Sequence, residues 1–190
     1  MERVQTGITG YDKLLNGGFI EGTVNLISGC SGAGKTLFAL SYIYNGVESF
    51  DEKGVYITPE ENMQHIMRHC KTVGLDFSQI SEDKFMTYDF AGLRHNVLTT
   101  SDEKSDPGSP LLLSNLLEFI EINFKDVKRL ALDSVVPLNM AYTDLNEFRS
   151  ELFRFTMGLK EMGCTSVLTT EIPYSRKDIS RFGIEDFLAD

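Results

Sequence analysis

Gly29-Cys30-Ser31-Gly32-Ala33-Gly34-Lys35-Thr36 follows the β-branched run Thr23-Val24-Asn25-Leu26-Ile27-Ser28 and opens an apolar helical pattern. GxxxxGK[ST] between a strand and a helix is the spelling of a phosphate-binding loop. The chemistry accounts for the fixed positions. Glycines let consecutive backbone N–H groups turn toward a polyphosphate, Lys35 lays an ammonium on the outer phosphates, and Thr36 offers its hydroxyl to magnesium. The contacting set is Gly29, Cys30, Ser31, Gly32, Ala33, Gly34, Lys35, Thr36 and Leu37. A Gly-rich turn with a solvated lysine is the bland alternative, and the flanking strand and helix argue against it.

Outward from the loop, five short β-type runs alternate with helical patterns, as in a mostly parallel sheet covered on both faces. Strands are expected at residues 23–28, 54–58, 84–89, 127–133 and 165–170, and helices at 35–50, 60–72 and 111–124. A further helix shows Leu145, Phe148, Leu152, Phe155, Leu159 and Met162 three and four apart, with Asp144 and Glu147 as a capping pair and Gly163 as its stop. The polar stretch 99–110 has too little apolar surface to pack and reads as a surface loop. The expectation is an α/β fold in one domain over residues 1–190, with 1–22 as a lead-in segment and 23–190 as the core.

In open α/β sheets ligands sit beyond the carboxyl ends of the strands, so polar residues placed there carry the most weight. Asp133 follows Leu130-Ala131-Leu132, the pattern in which a buried strand delivers one carboxylate toward magnesium, usually through its water shell. Thr58-Pro59-Glu60-Glu61 puts two carboxylates at the same edge, where Glu60, and less directly Glu61, can orient or deprotonate a water attacking the γ-phosphate. An acidic first helical turn is the competing reading of that pair. Thr169 and Thr170, at the end of the last strand, are candidate sensors of γ-phosphate occupancy, with ordinary strand threonines as the alternative. His65 and His69 stand four apart, a spacing that can bind zinc, but no third ligand is evident and an exposed helix face is the preferred reading.

Composition narrows the function classes. A net charge of −10 opposes constitutive binding to nucleic acid or anionic membrane, because affinity for phosphate backbones comes largely from clustered Lys and Arg. The densest basic stretch, 175–181, reads as a solvated loop. No apolar stretch approaches membrane-spanning length, no leader precedes the folded-looking sequence, and three cysteines lack metal-ligand spacing; a cytoplasmic location is the expectation. Cys30 at the head of a helix beside Lys35 is a candidate reactive thiol, with a small loop-filling residue as the stronger reading.

With these residues placed, the chain resembles the KaiC-type branch of RecA-like ATPases, which also includes RadA and RadB recombinases and the archaellum ATPase FlaH. Thr6-Gly7-Ile8-Thr9-Gly10-Tyr11-Asp12-Lys13-Leu14-Leu15-Asn16-Gly17-Gly18-Phe19-Ile20-Glu21-Gly22 resembles the family's TGIxGLDxLLxGGxxxG segment, with Tyr11 in place of the usual Leu. Glu60-Glu61 resembles its tandem glutamates, although Pro59 stands where an aromatic or apolar residue is common. Thr169-Thr170-Glu171 and Arg181-Phe182-Gly183-Ile184-Glu185-Asp186-Phe187-Leu188-Ala189-Asp190 also resemble KaiC-type sequence.

The resemblance implies a RecA-like P-loop core in which the phosphate-loop, glutamate, Asp133 and threonine strands are contiguous. It implies an ATP-hydrolysing regulatory enzyme using ATP or ADP and Mg, with Lys35, Glu60 and Glu61 catalytic and Thr36 and Asp133 on the metal side. It further implies a homo-oligomer, a hexameric ring in the full-length protein, with ATP at subunit boundaries and an unknown regulatory protein partner. Family members continue into further strands bearing basic residues that reach the neighbour's nucleotide; the sequence ending at Asp190 gives the expectation of a core cut short of them and of slow turnover. A DNA-binding recombinase paralogue, a non-hydrolysing ATP-gated scaffold and an autophosphorylating kinase are the alternatives that the same resemblance permits.

Overall fold

In the computed structural model, which describes residues 1–59, 61–89, 112–172 and 179–190, the described elements run in the following order. They are β1 (Arg3–Val4), α1 (Tyr11–Leu14), β2 (Phe19–Ile20), β3 (Val24–Gly29), α2 (Lys35–Phe50), β4 (Gly54–Thr58), α3 (Met63–Thr72), β5 (Phe85–Asp89), α4 (Leu113–Asn123), β6 (Arg129–Leu132), α5 (Leu145–Glu161) and β7 (Thr165–Glu171). Short 3-10 turns occupy Phe77–Gln79, Val136–Ala141 and Glu185–Phe187. The main sheet is parallel throughout, in the order β3-β7-β6-β4-β5. The four strands whose ends carry the candidate residues are therefore neighbours, as the resemblance implied. β1 and β2 form a separate antiparallel pair that the sequence reading did not anticipate.

Why the strands read as nearly continuous apolar runs follows from packing on both faces. Along β4, Val55 and Ile57 join the cluster beneath α4 and α5, while Tyr56 joins the cluster beneath α2 and α3. β6 and β7 repeat this alternation, with Leu130, Leu132 and Leu168 on the first face and Ala131 and Val167 on the second. α5 inserts Phe148, Leu152, Phe155 and Leu159 into the first cluster, and Asp144 caps it by accepting from the Asn146 N–H at 3.1 Å.

One boundary differs in a way that bears on function. The helix expected from residue 60 begins instead at Met63, because extended Asn62 caps it by accepting from the Gln64 N–H at 2.9 Å. Glu61 thus precedes the helix rather than occupying its first turn. Glu60, the 99–110 stretch and most of the basic stretch at 175–181 lie outside the described residues.

The lead-in segment has a physical reason for its spelling. Thr6 donates through both N–H and Oγ1 to the Asp12 carboxylate at 2.7 Å, and Gly7 N–H adds a third bond at 2.9 Å. Asn45 of α2 then donates to the Thr6 carbonyl at 3.1 Å, which ties the segment to the helix after the phosphate loop. Tyr11 packs edge-on against Phe19 and Phe38.

At the opposite end of β6, Arg129 is 1 % exposed. It pairs with Glu52, donates to the Tyr42 carbonyl at 3.0 Å and lies over the Tyr42 and Phe50 rings. This side chain passes so close to α2 that a Cβ on Gly46 would sit 2.3 Å from its Cδ and Nε. With Arg129 held on all sides, Gly46→Ala is expected to cost about 1–3 kcal/mol from overpacking, in spite of alanine's better helix propensity. A urea titration checks this; an unchanged midpoint would mean that the guanidinium yields freely.

Candidate functional site

β3 ends at Gly29 and α2 starts at Lys35, so the five residues between them form a loop at the head of a helix. Gly32 (φ +76°) and Gly34 (φ +86°) adopt the left-handed conformation that ordinary side chains resist. Gly34 immediately precedes the helix and gives it no side-chain cap, so the first-turn N–H groups are without that partner. Lys35 folds across the loop, its Nζ donating to the carbonyls of Gly29 at 3.1 Å and Cys30 at 3.0 Å. An ammonium in that place has only to exchange carbonyls for phosphate oxygens.

The loop forms one wall of a cleft of about 560 Å³. Ser31, Gly32, Gly34, Lys35, Thr36 and Leu37 border it from the loop and α2, and Asp133, Ser134 and Glu171 from the ends of β6 and β7. Glu61, His65, Ile66, His69 and Cys70 border it from the β4–α3 side. The sequence-predicted Lys35, Thr36, Asp133 and Glu61 are thus brought to one place. Gly29, at the end of β3, and Cys30 and Ala33, in the loop, do not border the cleft.

Asp133 is half-buried and bonded through both carboxylate oxygens. Tyr56 Oη donates to Oδ2 at 2.7 Å, and Thr169 Oγ1 donates to Oδ1. Burial, reinforced by the Asp133 charge, pushes the Tyr56 phenol far above its ordinary pKa, so it stays a neutral donor. Thr36 and Asp133 present hard oxygen donors to the same cleft, which suits magnesium.

The two threonines of β7 part company. Thr169 reaches Asp133, whereas Thr170 points to the other side and donates to Glu185 Oε1 at 2.9 Å. Buried Glu185 also accepts from the N–H groups of Phe182 and Ile184 at 3.2 Å, which fastens the C-terminal segment to the sheet. Asp190 closes that segment on β3, through its N–H to the Val24 carbonyl at 2.8 Å and its carboxylate to the Val24 N–H at 3.0 Å.

His65 and His69 are exposed, as expected, yet they also border the cleft, which helical spacing alone did not place. Among the described residues no group of three His, Cys, Asp or Glu could hold a metal ion, so the zinc reading gains no support. Cys30 is exposed while Cys70 and Cys164 are buried, and burial pushes the Cys164 thiol up to about 12. Tyr56 was missed: a strand tyrosine looks like core until the strand order sets it beside Asp133.

A parallel sheet ordered in this way, with the phosphate loop leading from its edge strand into a sheet-covering helix, defines a RecA-like P-loop nucleotide-binding domain. The family model described as "ATPase: KaiC" matches residues 4–190, and the chain belongs to the KaiC ATPase family. It is 34% identical over 194 residues to the circadian clock oscillator protein KaiC of Prochlorococcus marinus (strain MIT 9313), covering 100% of this chain and 37% of that protein. The namesake proteins of Parasynechococcus marenigrum (strain WH8102) and Thermostichus vulcanus are 34% and 32% identical over 193 residues, in each case covering 100% of this chain and 36% of the relative. The chain therefore spans little more than a third of the relatives it matches. No helix among the described residues is long and apolar enough to cross a membrane.

Proposed function

We propose that this domain binds MgATP and hydrolyses it slowly, as a unit of a homo-oligomeric, regulatory ATPase. The observation that carries this reading is the convergence of Lys35, Thr36, Asp133 and Glu61 from separate stretches of chain on one cleft beside the loop. Lys35 holds the β- and γ-phosphates, Thr36 and Asp133 face the metal side, and Glu60 or Glu61 orients the attacking water. Thr36 and Asp133 would hold magnesium here, and the ion would supply positive charge to offset what develops on the outer phosphates. Thr169, whose hydroxyl donates to Asp133, would register a change there.

Slow turnover and oligomerisation share a motive. Among the described residues bordering the cleft, Lys35 is the one Lys or Arg, against Glu61, Asp133 and Glu171. Charge spread over a transferring phosphoryl group calls for more cations, and a neighbouring subunit is a source of them; such a group is worth about 10³ to 10⁵ in related reactions. The hexameric ring, the cytoplasmic location and an unidentified protein partner belong to the same reading. The net charge of −10 favours a protein over a nucleic acid as that partner.

The test is a titration with a fluorescent ATP analogue, with and without Mg²⁺, alongside phosphate release and a light-scattering mass. Saturable, magnesium-assisted binding and slow phosphate release are expected. No binding at about 1 mM ATP, the upper end of ordinary KM values, would sink the reading.

A further inference from the structure

We propose that Tyr56 is a positioning residue for Asp133, and that its hydroxyl sets how tightly the nucleotide complex holds magnesium. The inference rests on the MgATP reading of the cleft and adds to it a residue that neither the loop motif nor the strand-end pattern picks out.

Register explains how a core residue reaches the site. Tyr56 pairs with Ala131 across β4 and β6, and Asp133 lies two residues beyond Ala131 on the same face. At about 3.3 Å per residue that is a step of roughly 6.6 Å, which a phenol spans and a shorter side chain does not. The ring is fully buried in the cluster with Leu40, Ile66 and Cys70, where packing asks only for an apolar body. Leu40, Ile66 and Cys70 also border the cleft, as does Asp133, whose Oδ2 accepts from the buried hydroxyl at 2.7 Å.

Thr169 supplies the matching bond from the other side. β7 and β4 flank β6, so each neighbouring strand contributes one hydroxyl to one carboxylate oxygen. A carboxylate oxygen has two acceptor sites, so each bond leaves Asp133 a free lone pair for the water shell of a metal. With both donors in place the carboxylate has one orientation; without Tyr56, Oδ2 loses its donor and the side chain regains torsional freedom. Groups that orient metal-side ligands in this way typically change metal affinity by about 10- to 100-fold when removed.

Tyr56→Phe removes the hydroxyl and keeps the ring in the core. Expected are unchanged affinity for the fluorescent ATP analogue in EDTA, a thermal midpoint close to wild type, and a Mg²⁺ half-saturation of the nucleotide complex raised about tenfold. Mn²⁺ bound to the nucleotide complex, read by electron paramagnetic resonance, should weaken in parallel. Thr169→Val repeats the test at the other oxygen with an isosteric change and should shift the Mg²⁺ dependence in the same direction. A purely structural tyrosine would lower the midpoint and leave the metal titration where it was, and that result overturns the proposal. If wild-type protein binds nucleotide with no magnesium dependence, the functional reading falls as well; if wild type shows the dependence and Tyr56→Phe copies it, the positioning role alone fails.

Discussion

Lys35→Ala should weaken nucleotide binding by about 2–4 kcal/mol, or roughly 30- to 1,000-fold in Kd, while leaving the fold intact. The size follows from where the ammonium sits. Lys35 is half-buried, and its two hydrogen bonds go to carbonyls of the loop it serves, Gly29 and Cys30. Truncation removes the one Lys or Arg bordering the described cleft and leaves the acids Glu61, Asp133 and Glu171 facing an incoming polyanion. Among the described residues no bond to the rest of the core is lost, so the urea midpoint should hardly move. Isothermal titration with ADP and ATP checks the affinity, and ATP should lose more than ADP because the lysine serves the outer phosphates. Equal binding by the variant would mean that the loop's amides do the work alone.

Glu60→Gln should separate binding from chemistry. The substitution keeps size and hydrogen-bonding reach but removes the carboxylate's basicity, so affinity for ATP should persist while turnover falls about 10²- to 10⁴-fold. Glu61→Gln is the necessary companion. Glu61 borders the cleft, its N–H donates to the Thr58 hydroxyl at 3.1 Å, and it precedes rather than joins α3. Single-turnover phosphate release from both variants assigns the role: loss in Glu60→Gln alone supports the leading assignment, and loss in Glu61→Gln alone transfers it. Undiminished turnover in both would remove the pair from catalysis.

The parts of the site that are local in sequence were the parts legible there. Gly29 to Thr36 spells its own conformation, because the left-handed glycines, the lysine and the helix start are set within eight residues. The apolar runs of β4 and β6 disclosed a sheet covered on both faces, and the spacing of Phe148, Leu152, Phe155 and Leu159 disclosed α5. Strand order was not written locally. The resemblance implied that the four strands are contiguous but not which strand lies beside which, and only the pairing of β4 with β6 converts a core tyrosine into a partner of Asp133. Likewise α3 begins where Asn62 turns its side chain back, a choice settled by one cap over the competing acidic start at Glu60. Two-residue strands such as β1 and β2 carry too few residues for any periodicity to show.

Successive side chains of a strand point to opposite sides, and β7 puts that rule to use at Thr169 and Thr170. One touches the acid of the cleft; the next touches the carboxylate that anchors the chain's closing turn on the far surface. Inserting or deleting a single residue upstream in β7 would exchange their directions and break both links together. The sheet is thereby a two-sided ledge whose front and back are kept in phase by adjacent hydroxyls, so that any slide of β7 along its neighbours is communicated to both surfaces at once.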